Sequence, residues 1–209
     1  MDFLTNQNII FYILAYLFGS IPFGLILAKI FAGVNIKESG SKSIGATNVL
    51  RVVKEKDPKL AKKLGLATVI LDAIKVTITL LIAISFNVSQ ETLWMIAVLG
   101  VLGHCYSIFL GFEGGKGVAT GLGAYIVLIP YATIIGAIVW AFCAKVLKIS
   151  SLSSLIALVA VLVSANFIYN GLNVGSNVPM YLIAFIVFYK HIPNIIRLVK
   201  GEEKKVVWK

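Results

Sequence analysis

Long apolar stretches dominate this sequence and limit what it can fold into. A helix needs roughly 20 apolar residues to cross the hydrocarbon core of a bilayer, and five clear stretches meet that need: 8–33, 64–86, 92–111, 150–169 and 178–198. Apolar residues make up 59% of the 209 residues and charged residues only 13%. One soluble core of this size cannot bury so much apolar surface. The sequence therefore predicts an all-α integral membrane protein and excludes a soluble domain, a disordered chain and a disulfide scaffold.

A sixth apolar stretch, 118–146, is too long for one span and is interrupted at Pro130. Basic residues collect in cytoplasmic loops, and the loop 34–63 holds eight of them. If 118–146 forms two short helices, Lys145, Lys148 and the basic tail 199–209 lie on the same side of the membrane as that loop. We therefore predict seven transmembrane helices in a single domain, 1–209, with the N-terminus outside and the C-terminus in the cytoplasm. Topology then accounts for the net charge of +10, and no nucleic acid partner is expected.

Three polar segments on the predicted cytoplasmic side contain residues that topology alone does not require. The segment 39–51 combines small residues with hydroxyls, an amide and an arginine, a set that suits a phosphate group; the alternative is a flexible loop with a helix cap. The segment 114–120 places glycines around a lysine where a helix begins, which favours an anion-binding backbone nest; the alternative is a tight turn. Its spacing differs from that of a nucleotide-binding phosphate loop.

The third polar segment, 190–203, places His191, Asn194 and Arg197 on one face of a helix. That face suits an anionic, hydroxylated substrate, or else it is an interfacial turn with snorkelling side chains. Within the second span, Asp72 and Lys75 stand three residues apart and can neutralise one another, and we expect a structural role for them. A scaffold role is likewise expected for a histidine near the inner end of the third span, His104.

The order and spacing of these segments resemble the bacterial acyl-phosphate:glycerol-3-phosphate acyltransferases, the PlsY family. The resemblance covers essentially the whole chain and rests on these pieces: 19–24, 45–51, Asp72 with Lys75, 103–120, and the residues His191, Asn194, Arg197, Gly201 and Glu203. One piece departs from the family pattern. Where the family usually reads Ser-Gly-Ser-Gly-Asn, this chain reads 39–43 as Ser-Gly-Ser-Lys-Ser, so that Lys42 replaces a glycine and loses backbone freedom.

The resemblance implies a reaction and a set of site residues. Such enzymes move a fatty acyl group from acyl phosphate to the 1-hydroxyl of glycerol 3-phosphate, giving lysophosphatidic acid and phosphate, the first step of bacterial phospholipid synthesis. The implied catalytic residues are Ser41, Arg51, Lys116, His191 and Asn194. The implied substrate-binding residues are Thr47, Asn48, Gly114, Gly115 and Gly117. The implied supporting residues are Asp72, Lys75, His104, Arg197 and Glu203. No metal and no cofactor are expected.

The resemblance also implies a location and partners. We expect a multi-pass protein of the bacterial plasma (inner) membrane whose active site faces the cytoplasm. The expected partners are acyl phosphate, glycerol 3-phosphate, the lipid bilayer and the enzyme that makes acyl phosphate.

Two questions stay open at the level of sequence. His191 either takes the proton of the attacking hydroxyl or only binds substrate by donating a hydrogen bond. We expect the binding role, because the sequence shows three anion-binding segments and no carboxylate placed to orient a base. The alternative function is an organic-anion membrane transporter. A transporter needs a polar site near the bilayer midplane, whereas these polar segments crowd one face.

Overall fold

The computed structural model describes residues 6–169 and 176–205, and within those ranges the chain forms ten α-helices and no strand. In chain order they are α1 (Gln7–Ser20), α2 (Phe23–Ala32), α3 (Ala46–Val53), α4 (Pro58–Ser85), α5 (Gln90–Cys105), α6 (Val118–Leu128), α7 (Pro130–Leu147), α8 (Ser150–Ile168), α9 (Val178–Lys190) and α10 (Ile192–Val199). A short 3₁₀ turn, Ile108–Leu110, lies between α5 and α6. The predicted all-α fold is confirmed.

Five segments are long and apolar enough to cross a membrane: Gln7–Ala32, which joins α1 and α2, and helices α4, α5, α7 and α8. Helices α9 and α10 form a sixth if the 54° bend between them lies within one span, and α6 is a shorter apolar helix. The count of seven transmembrane helices and the sides on which the termini lie remain predictions.

The break predicted within 118–146 is present, but only one of the two helices is short. Helix α6 has 11 residues, whereas α7 has 18 and is long enough to span a bilayer. Pro130 occupies the first turn of α7, where the missing N–H of proline costs no hydrogen bond. The apolar sequence therefore continues after the proline as a full-length helix, which corrects the expectation of two short ones.

Helix α4 begins six residues before the apolar stretch that predicts it. The Asp57 side chain accepts hydrogen bonds from the N–H groups of Lys59 and Leu60, at 2.8 and 3.0 Å, and Pro58 follows as the first helical residue. This cap and proline start the helix in its lysine-rich part. The apolar span is thus the continuation of a helix that starts outside it.

Close helix packing depends on small residues. A Cβ at Gly19 would collide with the backbone of Gly100, and a Cβ at Gly103 would collide with the carbonyl of Tyr16. Helices α1 and α5 therefore approach until their backbones touch, as is typical of helices packed in a bilayer. Large apolar side chains such as Ile30, Phe142 and Phe167 point outward and are exposed, which presents an apolar surface for lipid contact.

Candidate active site

One cavity of about 470 Å³ brings the three polar segments together. Its polar end is lined by residues from each segment: Ser41, Thr47, Asn48, Arg51, Lys116, Gly117, His191, Asn194, Arg197 and Glu203. All five predicted catalytic residues are in this set. The volume falls within the range of small-molecule sites, and the cavity continues between α6, α7 and α8 along an apolar wall that includes Leu122, Ala137 and Leu158.

Asn48 holds the first polar segment in shape. Its Nδ2 donates to the carbonyls of Ile36, Ser39 and Ser43, at 2.9, 3.2 and 2.9 Å, and its Oδ1 accepts from the N–H of Ser41 at 2.8 Å. An amide with its donors and acceptor so engaged has little left for a ligand. Asn48 therefore stabilises the loop that contains Ser41. This corrects the prediction that Asn48 contacts the substrate directly.

The departure from the family pattern lies at a strained backbone position. Lys42 has φ +58°, a left-handed conformation that costs a residue with a Cβ roughly 1–2 kcal/mol. Gly40, two residues earlier, has φ +65°, and a Cβ there would meet the Asn48 side chain. The loop keeps a conformation that suits glycine even where the glycine is replaced.

Arg51 and Lys116 line the polar end of the cavity, and neither forms a salt bridge with a described residue. Burial lowers the pKa of Lys116 from 10.5 to about 8. The negative charge of Glu203 opposes this shift, and the positive charges of Arg197 and Arg51 add to it. Several positive groups converge on one partly desolvated space, an arrangement that favours a multiply charged anion.

The glycine segment is built differently from the predicted backbone nest. The N–H of Gly115 donates to the carbonyl of His104 at 3.0 Å, so it is not available to bind an anion. A Cβ on Gly115 would collide with the His104 ring. Gly114 packs on the backbone of His104 and Cys105, and neither of the two glycines lines the cavity. Gly117 does line it, with φ +80° at the start of α6. We conclude that Gly114 and Gly115 make room for α5, and that Lys116 and Gly117 face the cavity.

Glu203 joins three elements at the cavity rim. Its Oε1 accepts from Ser151 Oγ at 2.7 Å and from Asn194 Nδ2 at 2.6 Å, and its Oε2 accepts from Arg197 Nε at 2.7 Å. Burial raises the pKa of Glu203, but hydrogen bonds from Ser151, Asn194 and Arg197 outweigh it and lower the pKa overall. The supporting role predicted for Glu203 is thus to attach the tail to α8 and α10.

Helix α8 contributes residues that sequence reasoning missed. Ser150, Ser151 and Ser154 line the cavity, and Ser150 Oγ lies 3.1 Å from Thr47 Oγ1. The available signal was the concentration of serines at the start of an apolar span, 150–154. This signal is weak, because serines at the start of a helix are ordinary capping residues.

His191 is buried between α9 and α10, with 1% of its surface exposed. Its Nδ1 lies 2.7 Å from the Val187 carbonyl oxygen. Since a carbonyl only accepts, Nδ1 carries the proton. In the neutral ring Nε2 is then an acceptor, and no described residue hydrogen-bonds to it. This corrects the expectation of a donated hydrogen bond, because the Nε2 of a neutral His191 can only accept one.

A second ionisable cluster lies deeper, between α4 and α5. Lys75 Nζ lies 2.9 Å from Asp72 Oδ1, 2.9 Å from His104 Nδ1 and 3.1 Å from the Ile21 carbonyl oxygen. The predicted Asp72–Lys75 pair is therefore present. Its lysine also satisfies the carbonyl at the break between α1 and α2.

Comparison with known proteins identifies the family. The family model described as glycerol-3-phosphate acyltransferase matches residues 9–201. The chain belongs to the glycerol-3-phosphate acyltransferase family. It is 75% identical to the glycerol-3-phosphate acyltransferase of Aliarcobacter butzleri over 99% of this chain and 100% of that protein. It is 62% identical to that of a Nitratiruptor species over 99% of each.

Solved structures agree with that assignment. The glycerol 3-phosphate form of PlsY, an integral membrane glycerol 3-phosphate acyltransferase, is 34% identical with a TM-score of 0.86, covering 97% of this chain and 96% of the other. The lysophosphatidic acid form is 33% identical with a TM-score of 0.82, covering 96% and 95%. The predicted PlsY resemblance and the integral membrane class are confirmed. This glycerol-3-phosphate acyltransferase is an enzyme, so the family assignment argues against the transporter alternative.

Proposed function

We propose that this acyltransferase uses acyl phosphate as its donor and transfers the acyl group to the 1-hydroxyl of glycerol 3-phosphate, releasing lysophosphatidic acid and phosphate. The observation that carries the proposal is one cavity that joins Arg51 and Lys116 to an apolar wall between helices. Both proposed substrates carry a phosphate for the cations, and the donor also carries an acyl chain for the apolar wall. Similar PlsY structures are described in glycerol 3-phosphate and lysophosphatidic acid forms.

The chemistry needs placement and charge stabilisation more than a strong nucleophile. Acyl phosphate is a mixed anhydride and is already activated, so alignment of the two substrates and stabilisation of developing negative charge lower the barrier. The 1-hydroxyl oxygen forms a bond to the acyl carbon, the bond from that carbon to the phosphate oxygen breaks, and the hydroxyl proton moves to the departing phosphate. Arg51 and Lys116 stabilise the phosphate, and Ser41 completes its surroundings, whereas Asn194 binds the acceptor together with His191.

His191 orients the acceptor in this scheme. Its Nδ1–H is used by the Val187 carbonyl, which leaves Nε2 to accept a hydrogen bond from a hydroxyl of glycerol 3-phosphate. That hydrogen bond turns the hydroxyl oxygen toward the acyl carbon. The proton itself goes to the donor's phosphate.

The proposed location is the bacterial inner membrane, with the cavity open to the cytoplasm. Lys and Arg concentrate in the loop 34–63 and in the tail, the two parts of the chain that frame the polar end of the cavity. Glycerol 3-phosphate reaches that end from solution, and the enzyme that makes acyl phosphate delivers the donor on the same side.

A donor comparison tests the proposal. Purified protein is incubated with glycerol 3-phosphate and either acyl phosphate or acyl-coenzyme A, and lysophosphatidic acid and free phosphate are measured. We expect product only with acyl phosphate, in a one-to-one ratio with phosphate, and at least a 100-fold loss in Lys116→Ala but none in Lys62→Ala, whose lysine is exposed outside the cavity. Turnover of acyl-coenzyme A alone would refute the proposed donor.

A further inference from the structure

The His104 side chain lies where the deep ionisable cluster meets the glycine segment. The ring is 3% exposed and lines the cavity that also contains Lys116. One edge of the ring, at Nδ1, faces Lys75 at 2.9 Å. The other edge, at Nε2, faces Gly115, because a Cβ built on that glycine would collide with Nε2. Both edges of this histidine are therefore placed by the fold.

The contacts of Lys75 decide which nitrogen of His104 carries the proton. Two of its partners, the Asp72 carboxylate and the Ile21 carbonyl, only accept hydrogen bonds. The Asp72 charge favours the ammonium form, which has three protons. The third points to His104 Nδ1, which must then be an unprotonated acceptor. Asp72 Oδ1 lies 3.6 Å from Nδ1, too far for a hydrogen bond. A neutral His104 accordingly holds its proton on Nε2.

This Nε2–H has no acceptor among the residues that the structure describes, although the ring is almost fully buried. Buried donors are nearly always paired. His104 lines the same cavity as Lys116, and Lys116 is the residue next to Gly115, the glycine that Nε2 faces. A ligand atom that accepts a hydrogen bond and carries negative charge fits both groups at once.

We propose that His104 contacts the substrate, with its Nε2–H donating to a phosphoryl oxygen bound beside Lys116, and that Lys75 and Asp72 are positioning residues that hold the ring in this tautomer. The inference rests on the proposed function only in identifying the phosphoryl group as that of acyl phosphate or of glycerol 3-phosphate. His104 and His191 then have opposite tautomers and opposite tasks. His104 donates to a phosphoryl oxygen, and His191 accepts from a hydroxyl.

Nitrogen-15 NMR of the histidine rings tests the tautomer and the contact without any turnover. The chain has two histidines, so a His191→Gln sample assigns both resonances. We expect His104 as the Nε2–H tautomer and His191 as the Nδ1–H tautomer. Inorganic phosphate, at concentrations that inhibit the enzyme, should shift the His104 Nε2–H signal. An Nδ1–H tautomer at His104, or no shift of its Nε2–H at inhibitory phosphate, overturns the proposal.

Kinetics of two substitutions separate substrate contact from a purely structural role. His104→Gln places an amide N–H near the position of Nε2, whereas His104→Met fills the space without a donor. We expect His104→Met to raise the KM of one phosphate substrate at least tenfold while changing the other less than threefold, and the separate KM values show which phosphoryl group is bound. His104→Gln should recover most of that loss. Equal damage to both KM values by both substitutions, with a lower melting temperature, would mean a structural role and refute the contact.

The two proposals fail in different ways. If the wild-type protein does not use acyl phosphate, the proposed donor is wrong, but the NMR shift with phosphate and the KM of glycerol 3-phosphate still decide the role of His104. Lys75→Met provides the matching test of positioning. It should convert His104 to a mixture of tautomers in the NMR spectrum, and an unchanged tautomer would exclude Lys75 as the positioning residue.

Discussion

Asn194 Nδ2 donates a 2.6 Å hydrogen bond to Glu203 Oε1, and this contact ties the tail to the helix that begins after His191. The same carboxylate holds Arg197. One acidic residue outside the helices thus fixes the orientation of two polar side chains that line the cavity. Its contribution is to placement, since it does not contact His191.

Removal of this carboxylate should loosen the site and the fold together. Glu203→Ala breaks three hydrogen bonds, one of them to a charged group, and we expect it to lower the free energy of unfolding by about 1–3 kcal/mol. Glu203→Gln keeps an acceptor and should lose less. Thermal unfolding in detergent measures both, and Glu55→Ala is the control because Glu55 is exposed and away from the cavity. Equal stability of Glu203→Ala and wild type would refute the role.

Alkaline pH should weaken the enzyme through Lys116. Its pKa of about 8 means that the ammonium group is lost as pH rises through that value. We therefore expect kcat/KM to fall above pH 8, and Lys116→Arg, which stays charged, to remove that alkaline limb. Unfolding does not explain the loss. Between pH 8 and 10.5 the lysine of the unfolded chain binds more protons than Lys116 does in the folded protein, so a rise in pH over this range makes this group stabilise the fold. An identical limb in Lys116→Arg would assign it to another group.

Substitution of His191 separates acceptor binding from base catalysis. If Nε2 only accepts a hydrogen bond from the substrate hydroxyl, His191→Gln should raise the KM of glycerol 3-phosphate about tenfold with a smaller change in kcat. Asn194→Ala, on the next turn, should show the same pattern. A loss of 100-fold or more in kcat with an unchanged KM would instead establish His191 as the general base.

Restoring glycine in the first loop should relieve strain. Lys42 has φ +58°, and Lys42→Gly removes the Cβ that makes this conformation unfavourable, at the expense of a more flexible unfolded chain. We expect a net gain of about 0.5–1 kcal/mol in the free energy of unfolding. Lys42→Ala tests the cause, because it removes the charge and keeps the Cβ. The same gain in the alanine variant would show that charge, and not backbone conformation, is responsible.

Cysteine labelling tests the predicted topology. In a Cys143→Ser background, Cys105 is buried and should stay unlabelled. We expect Ser89→Cys to react with a membrane-impermeant reagent in intact cells, and Glu55→Cys and Lys205→Cys to react only after the membrane is opened. Reaction of Lys205→Cys from outside would refute a cytoplasmic C-terminus.

The sequence by itself determined the membrane class, the positions of the apolar helices, the break near Pro130 and the three polar segments. These features depend on local composition and on the chemistry of single residues, which can be interpreted without knowing what lies nearby. The order and spacing of the motifs were enough to indicate the family. The length of α7 was underestimated because the charge rule constrains the side of a loop and not the length of the helix beside it.

Only the tertiary structure decided what each polar group contacts. Asn48 hydrogen-bonds to its own loop, the N–H of Gly115 donates to the His104 carbonyl, and Glu203 accepts from a serine on α8. These partners are brought together by helix packing at small residues such as Gly19, and no local pattern encodes them. A hydrogen-bonding group has few bonds to make, so its function depends on which of them the fold has already taken.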